Sequence, residues 1–283
     1  MITYDSGKKI VVVVAILAVQ FVLPGLLLSA EPESIVQAQA VLTVSESKRL
    51  IAKAVAQMPI VKEAFGNGMI IITNGSTNAY VVEEITGQKM EKTAFVKGKI
   101  QPAKGGKKLS DTKSIPEVIL EKGKAVDLPL SEAVKKLKPG DVVIKGANAL
   151  DYKNKLAAVD IFGTSSGTTG IIMPYIVGRK AYLVIPVGLE KLVAGDLVDL
   201  TMKMREPIQS LNHVQSMFLL TGEIVTELEA IHILTGATAF QCSAGGIGGA
   251  EGGVWLVFRG TREQVSKALE LVGSVQGESP YVE

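Results

Sequence analysis

Sulfur and imidazole chemistry are nearly missing from this chain. Its 283 residues include one cysteine, Cys242, and two histidines, His213 and His232. A single cysteine excludes an internal disulfide framework and a thiolate zinc cluster, and two histidines leave little for a histidine-rich metal site. Aromatic residues amount to 5%, too few for the stacking platforms that hold single-stranded nucleic acid. Thirty basic residues against twenty-eight acidic ones leave a formal net charge of +2, so no one-signed field marks a nucleic-acid partner. No residue pattern calls for a metal or a cofactor, and none is expected. What remains is ample material for a core. Hydrophobic residues make up 47% and charged residues 20%, which excludes a wholly disordered chain. At about 100–200 residues per domain, the length suits two domains.

The first segment reads as a targeting element. Lys8 and Lys9 precede an apolar run from Ile10 to Ala30, and Glu31 and Glu33 follow it. Spanning a bilayer takes about 20 apolar residues, which this run supplies. The positive-inside rule keeps its start in the cytoplasm and exports the rest. Pro24, Gly25 and the A-x-A match Ala38-Gln39-Ala40 fit a cleaved signal peptide, while the length of the run fits a membrane anchor. Residues 1–40 are therefore expected to be a signal peptide or an anchor outside the fold. The remainder is expected to be an anchored extracytoplasmic domain, or a secreted one if the segment is cleaved.

Beyond it, strands and helices alternate. Ser45 opens a helix with Leu50, Ile51, Ala54, Val55 and Met58 at helical spacing, ending before Pro59. Met69 to Thr73 is a short apolar run typical of a buried parallel strand, followed by a helix from Ala79 to Ile85. Residues 88–124, rich in Lys and Gly, suggest a surface excursion with weak strands at Ala94-Phe95-Val96 and Glu117 to Leu120. A helix from Ser131, a strand Asp141 to Ile144 and a strand Ala181 to Val187 follow. The pattern predicts an α/β fold, an open, mostly parallel sheet with helices on both faces, over residues 41–200. From 201 to 283 the order is helix (Glu223 to Leu234), strand (Thr238 to Ser243), strand (Gly253 to Arg259) and a helix opened by the Thr261–Gln264 capping box. That order suggests a small ferredoxin-like α+β unit.

Three small-residue loops follow strands. Asn74-Gly75-Ser76-Thr77-Asn78 runs from a strand into a helix, placing free N–H groups and two hydroxyls at a positive dipole end suited to phosphate or carboxylate. An ordinary N-cap would look the same. Lys145-Gly146-Ala147-Asn148 follows the next buried strand, with Lys145 at the rim of any pocket there or turned to solvent. Gly163-Thr164-Ser165-Ser166-Gly167-Thr168-Thr169-Gly170 has no bulky side chain, so a ligand could approach its backbone closely, although a linker shares that composition.

Taken in order, these loops and the strand Leu183 to Val187 ending near Lys191 resemble the superfamily of ribose-5-phosphate isomerase, glucosamine-6-phosphate deaminase and the CoA transferases. The resemblance covers roughly residues 45–193. It implies a phosphorylated or carboxylated small ligand at the strand ends and an isomerase-like or deaminase-like enzyme. Where the isomerase carries Asp-Gly-Ala-Asp-Glu, this chain has Lys145-Gly146-Ala147-Asn148-Ala149, so both aspartates and the glutamate are replaced. A proton-moving enzyme needs a general base near the substrate carbon. The candidates left are Lys145, Asp151, Glu190 and Lys191, and the resemblance carries fold and pocket better than reaction.

Other motifs compete. Gly163 to Gly167 also matches G-x-S-x-G, with Asp196 or Asp199 and then His213 or His232 in hydrolase order. The loop Gly245 to Gly253, with Gly245, Gly246, Gly248, Gly249 and Glu251, fails the dinucleotide fingerprint. It reads as an anion nest, a lid or a plain hairpin connection. Lys104, Lys107 and Lys108 read as a solvated turn. The functional expectation is a membrane-targeted protein that binds a small anionic ligand. A non-catalytic extracytoplasmic binding or assembly module is the alternative, with self-association left open.

Overall fold

The computed structural model describes residues 34–97, 100–104 and 113–281. The apolar run before residue 34 lies outside these residues, as do Lys107 and Lys108. Among the described residues, no helix is long and apolar enough to cross a membrane.

Strand β1 (Val36–Leu42) leads into helix α1 (Val44–Gln57) through a capping box. The Glu46 carboxylate accepts the Thr43 N–H at 2.7 Å while the Thr43 hydroxyl faces the Glu46 N–H. Leu50, Ile51, Ala54 and Val55 are fully buried, as their spacing requires of one helix stripe. Pro59 then opens α2 (Pro59–Asn67), a position where its missing N–H has no helical acceptor to lose. Strand β2 (Met69–Ile72) is buried on both faces, and α3 (Ser76–Thr86) stops at Gly87, whose φ of +71° makes a left-handed cap. The chain continues through the hairpin β3 (Val118–Glu121) and β4 (Lys124–Ala125), helix α4 (Leu130–Lys136) and strand β5 (Val142–Ile144). Next come the hairpin β6 (Ala149–Asp151) and β7 (Leu156–Ile161), helix α5 (Gly167–Arg179), strand β8 (Tyr182–Pro186) and helix α6 (Leu197–Lys203). The last elements are β9 (Ser216–Leu220), β10 (Glu223–Val225), α7 (Glu227–Thr235), β11 (Thr238–Ala244), β12 (Val254–Gly260) and α8 (Arg262–Val275).

The architecture is mixed α/β with one mostly parallel sheet. That sheet has the order β10-β8-β5-β2-β3-β4, in which β10, β8, β5 and β2 pair parallel, β3 pairs antiparallel with β2, and β4 pairs antiparallel with β3. An antiparallel sheet β6-β7-β9 and another, β1-β12-β11, complete the described strands. The three central parallel strands β2, β5 and β8 are short and largely apolar, and Ile70, Ile71, Ile72, Val142, Val143, Ile144, Val184 and Ile185 are fully buried. Parallel strands covered on both faces take this composition.

Several local expectations need correction. Ala94-Phe95-Val96 is not a strand, because Lys92–Ala94 forms a 3-10 turn, while β3 pairs with β2 inside the main sheet. Segment 88–124 is thus partly a sheet edge. Glu223–Val225, expected to begin a helix, is the strand β10 beside β8, and its helix starts at Glu227. Ala38-Gln39-Ala40 lies within β1, opposite Phe258, Val257 and Leu256 of β12. Alternating Gln and Ala suits an edge strand as well as it suits a cleavage site. Likewise β9 and β10, both beyond residue 200, pair with β7 and β8. The residues from Ser34 onward form one compact unit, and the carboxyl-terminal sheet takes β1 from its far end.

Candidate functional site

The carboxyl ends of β2, β5 and β8 open into a cleft of about 430 Å³. Its floor is the loop Asn74 to Asn78 and the first turn of α3. The Asn78 side chain donates to the Thr73 carbonyl at 2.8 Å and to the Ile144 carbonyl at 3.3 Å, locking the end of β2 to the end of β5. Asn74 donates to the Ile115 carbonyl at 2.8 Å, and the Gly75 N–H to the Phe95 carbonyl at 2.9 Å. These bonds fix the loop from both sides. No side chain caps α3, whereas α1, α7 and α8 carry capping boxes and Asp196 caps α6. The helix therefore presents unclaimed N–H groups and its positive dipole end to the cleft.

Three lysines face the same space. Lys48 comes from α1, Lys145 from the end of β5 and Lys191 from the turn after β8. Among the described residues, none of them forms a salt bridge with a carboxylate. Lys191 donates to the Ala147 carbonyl at 2.7 Å, and the Lys48 ammonium lies 5.3 Å from the centre of the Tyr281 ring. Lys145 is 9% exposed and Lys48 8% exposed. Burial pushes the Lys145 amine down to about 8, and the neighbouring Lys191 charge adds to the effect. Burial also brings Lys48 down to about 8, against the pull of Glu190. Lys191 is lowered by burial too, with Glu190, Asp160 and Glu227 opposing. A buried cluster of cations without bound counter-charge is costly, and an anion entering the cleft would relieve it.

Acids lie at the margins. Asp160 on β7 lines the cleft, and burial raises its carboxyl against the attraction of Lys191. Its N–H donates to the Asn148 side chain at 3.2 Å, which ties the loop after β5 to β7. Both carboxylate oxygens of Glu190 are buried and have no hydrogen-bond partner among the described residues. Glu227, fully buried at the start of α7, accepts the Leu189 N–H at 2.9 Å with one oxygen, and its other oxygen has no hydrogen-bond partner among the described residues. Burial, helped by the Glu190 charge, pushes Glu227 up to about 7. A carboxyl in that state holds a proton near neutrality.

The cleft brings together Asn74, Gly75, Ser76, Thr77, Asn78, Lys145, Gly146, Ala147, Asn148 and Lys191, all expected from the sequence. Other expected positions lie elsewhere. Phe162 reaches the cleft, but none of the loop Gly163 to Gly170 lines it, and Gly167 to Gly170 form the first turn of α5. Gly170 is needed there because a Cβ would sit 2.2 Å from the Ser165 carbonyl oxygen. Asp151 accepts N–H groups from Asn154 and Leu197 and borders a separate hollow. The hydrolase arrangement is not assembled, since Asp196 caps α6 and Asp199 pairs with Lys203 instead of engaging a histidine. Glu251 is exposed and accepts the N–H of Gly249 within its own loop. Gly245, Gly248 and Gly249 do take positive φ, but Gly246 does not, and the loop lines none of these cavities. Lys48, Asp160 and Tyr281 escaped the sequence reading. For Lys48 alone there is a trace, the run of polar residues at the start of α1, where Ser45 to Arg49 are all buried.

A larger hollow of about 860 Å³ lies at the amino ends of the strands, next to Met69 and Asp141. Its lysines are mostly exposed, and its buried acid, Asp141, is already bonded to the N–H groups of Met69 and Lys138. Size favours this hollow, but unsatisfied buried charge favours the cleft over α3. Among the described residues, no group of three or more His, Cys, Asp or Glu side chains could hold a metal ion. No family model, curated protein or solved structure matches this chain.

Proposed function

We propose that the chain binds a small phosphorylated or carboxylated ligand, with its anionic group over the start of α3 among Lys48, Lys145 and Lys191. The observation that carries this reading is three lysines, Lys48 and Lys145 buried and Lys191 half-buried, without salt bridges among the described residues, around an uncapped helix N-terminus. Backbone N–H groups supply directional bonds, and the lysines supply charge. The cleft volume suits a sugar phosphate or a molecule of similar size.

A second reading makes the site catalytic, as an isomerase-like or deaminase-like enzyme. Asp160 favours it, because a carboxyl raised by burial in the cleft wall can exchange a proton with a bound carbon acid. Kinship with the sugar-phosphate isomerase and deaminase superfamily belongs to this proposal, as do helices on both faces of the main sheet. Membrane targeting by the amino-terminal run, an extracytoplasmic location and self-association also stay proposals. Calorimetric titration of the full chain with inorganic phosphate, ribose phosphate and glucosamine phosphate tests the binding reading. Saturable binding with a stoichiometry near one per chain is expected. Absence of binding by all three would defeat it.

A further inference from the structure

The three lysines are not equivalent. Lys191 spends its ammonium on the Ala147 carbonyl at 2.7 Å, and Lys48 lies over the Tyr281 ring within the field of Glu190. Lys145 has neither support. Among the described residues its amine makes no hydrogen bond and no ion pair, and the charged group that acts on it is another cation, Lys191. A buried amine beside a second ammonium loses its proton more easily than a solvated one, and an uncharged amine is a nucleophile.

Resting on the anion-binding reading above, we propose that Lys145 forms an imine with a small phosphorylated aldehyde or ketone. Free phosphate meets all three lysines, whereas this longer ligand keeps its phosphate on Lys48, Lys191 and the start of α3 and brings its carbonyl carbon to Lys145. The Nζ lone pair makes the C–N bond while one N–H proton passes to the carbonyl oxygen, giving a carbinolamine. That oxygen then departs as water with the second N–H proton, and the C=N bond forms. No electrons are gained or lost overall. Asp160 lines the same cleft, where burial keeps its carboxyl easier to protonate than a solvated one. Burial of Lys145 at the end of β5 also limits the approach of bulk water, which hydrolyses imines.

The test is reductive trapping. The full chain is incubated with dihydroxyacetone phosphate or glycolaldehyde phosphate, reduced with borohydride, digested and mapped by mass spectrometry. Modification at Lys145 is expected at least about tenfold above that at exposed Lys135, with inorganic phosphate suppressing it. Lys145→Arg and Lys145→Met should both abolish the adduct, and Lys145→Arg should still bind phosphate, which separates lost chemistry from lost folding. Labelling of Lys145 no greater than that of Lys135 with either probe overturns the proposal. If phosphate binds by calorimetry while Lys145 is not enriched, the imine fails and the binding reading stands. Enrichment at Lys145 without phosphate binding or phosphate protection overturns the phosphorylated class named here.

Discussion

The Lys191 ammonium donates a 2.7 Å hydrogen bond to the Ala147 carbonyl, joining the turn after β8 to the loop after β5. Two strand ends far apart in sequence are thereby held as one rim, and Lys145, two residues before Ala147, stands beside the same charge. Parallel strands put their carboxyl ends on one side of a sheet, so loops after β2, β5 and β8 converge there whatever their order. Conversion of Lys191 to Met should free the Ala147 carbonyl, loosen the loop and weaken phosphate binding together. Amide hydrogen exchange across 146–148, read beside calorimetry, checks both effects.

Glu227 makes stability depend on pH. Its carboxyl rises from 4.5 to about 7 on folding, because it is buried and sits near the Glu190 charge. Between these values the folded chain holds a proton that the unfolded chain has released, so stability falls as pH climbs through this window and then levels off. The loss is on the order of 3 kcal/mol. Glu227→Gln keeps an acceptor for the Leu189 N–H and should flatten the profile. Urea unfolding at about pH 5 and about pH 8 measures this.

Lys145 works in the opposite sense. Burial and Lys191 lower its amine from 10.5 to about 8. Between those values the unfolded chain binds the extra proton, so the wild-type chain gains stability as pH rises through the window. Lys145→Met should therefore be the more stable protein near neutrality, with the advantage shrinking at high pH, and should bind phosphate more weakly. Thermal melts across the window show both the sign and the crossover.

Arg49 anchors the wall behind the cleft. Its guanidinium bonds Glu83 at 2.6 Å, Glu84 at 2.9 Å and Glu278 at 2.8 Å, and it packs 4.7 Å from the Tyr80 ring. Its loss leaves the buried Glu83 carboxylate with only the Met90 N–H and the more distant Lys92 and Lys89 ammonium groups, at a cost of up to about 3–5 kcal/mol. Arg49→Met should lower the denaturant midpoint accordingly and release the segment that carries Tyr281 onto Lys48. Retained stability in that variant would contradict the network.

Ser76 and Thr77 offer hydroxyls at the start of α3. Replacing both with valine should weaken phosphate binding by about 1–3 kcal/mol, as expected for charge-assisted hydrogen bonds. Gly248 supplies the contrast, since its φ of +66° makes Gly248→Ala cost about 1 kcal/mol of stability while leaving phosphate affinity unchanged. Paired melts and titrations separate the two kinds of loop.

Much of the cleft was legible because its signals are local. An apolar run followed at once by Asn74-Gly75-Ser76-Thr77-Asn78, or by Lys145-Gly146-Ala147-Asn148, marks a strand end and a turn in adjacent residues. Lys48 carried no such mark, because a lysine in an amphipathic helix is ordinarily solvated, and only the packing of Tyr281 over the first turns of α1 encloses it. Glu227 looked like one more polar residue of a helix, since the strand β10 before it is three residues long. The Gly163 to Gly170 string misled for a related reason. Small residues suit a phosphate cradle, but they also suit a helix start such as α5, where Ser166 takes φ +61°. Composition described these segments, and tertiary contacts assigned them.

The most direct measurement compares phosphate affinity at the two ends of the sheet. Inorganic phosphate is titrated into the wild-type chain, Lys145→Met and Lys135→Met, the last altering the larger basic hollow at the strands' amino ends. Binding to wild type is expected, with an affinity loss of about tenfold or more for Lys145→Met and no change for Lys135→Met. Unaltered affinity in Lys145→Met, with loss in Lys135→Met, would put the anion at the amino ends of the strands and overturn the assignment of the cleft over α3.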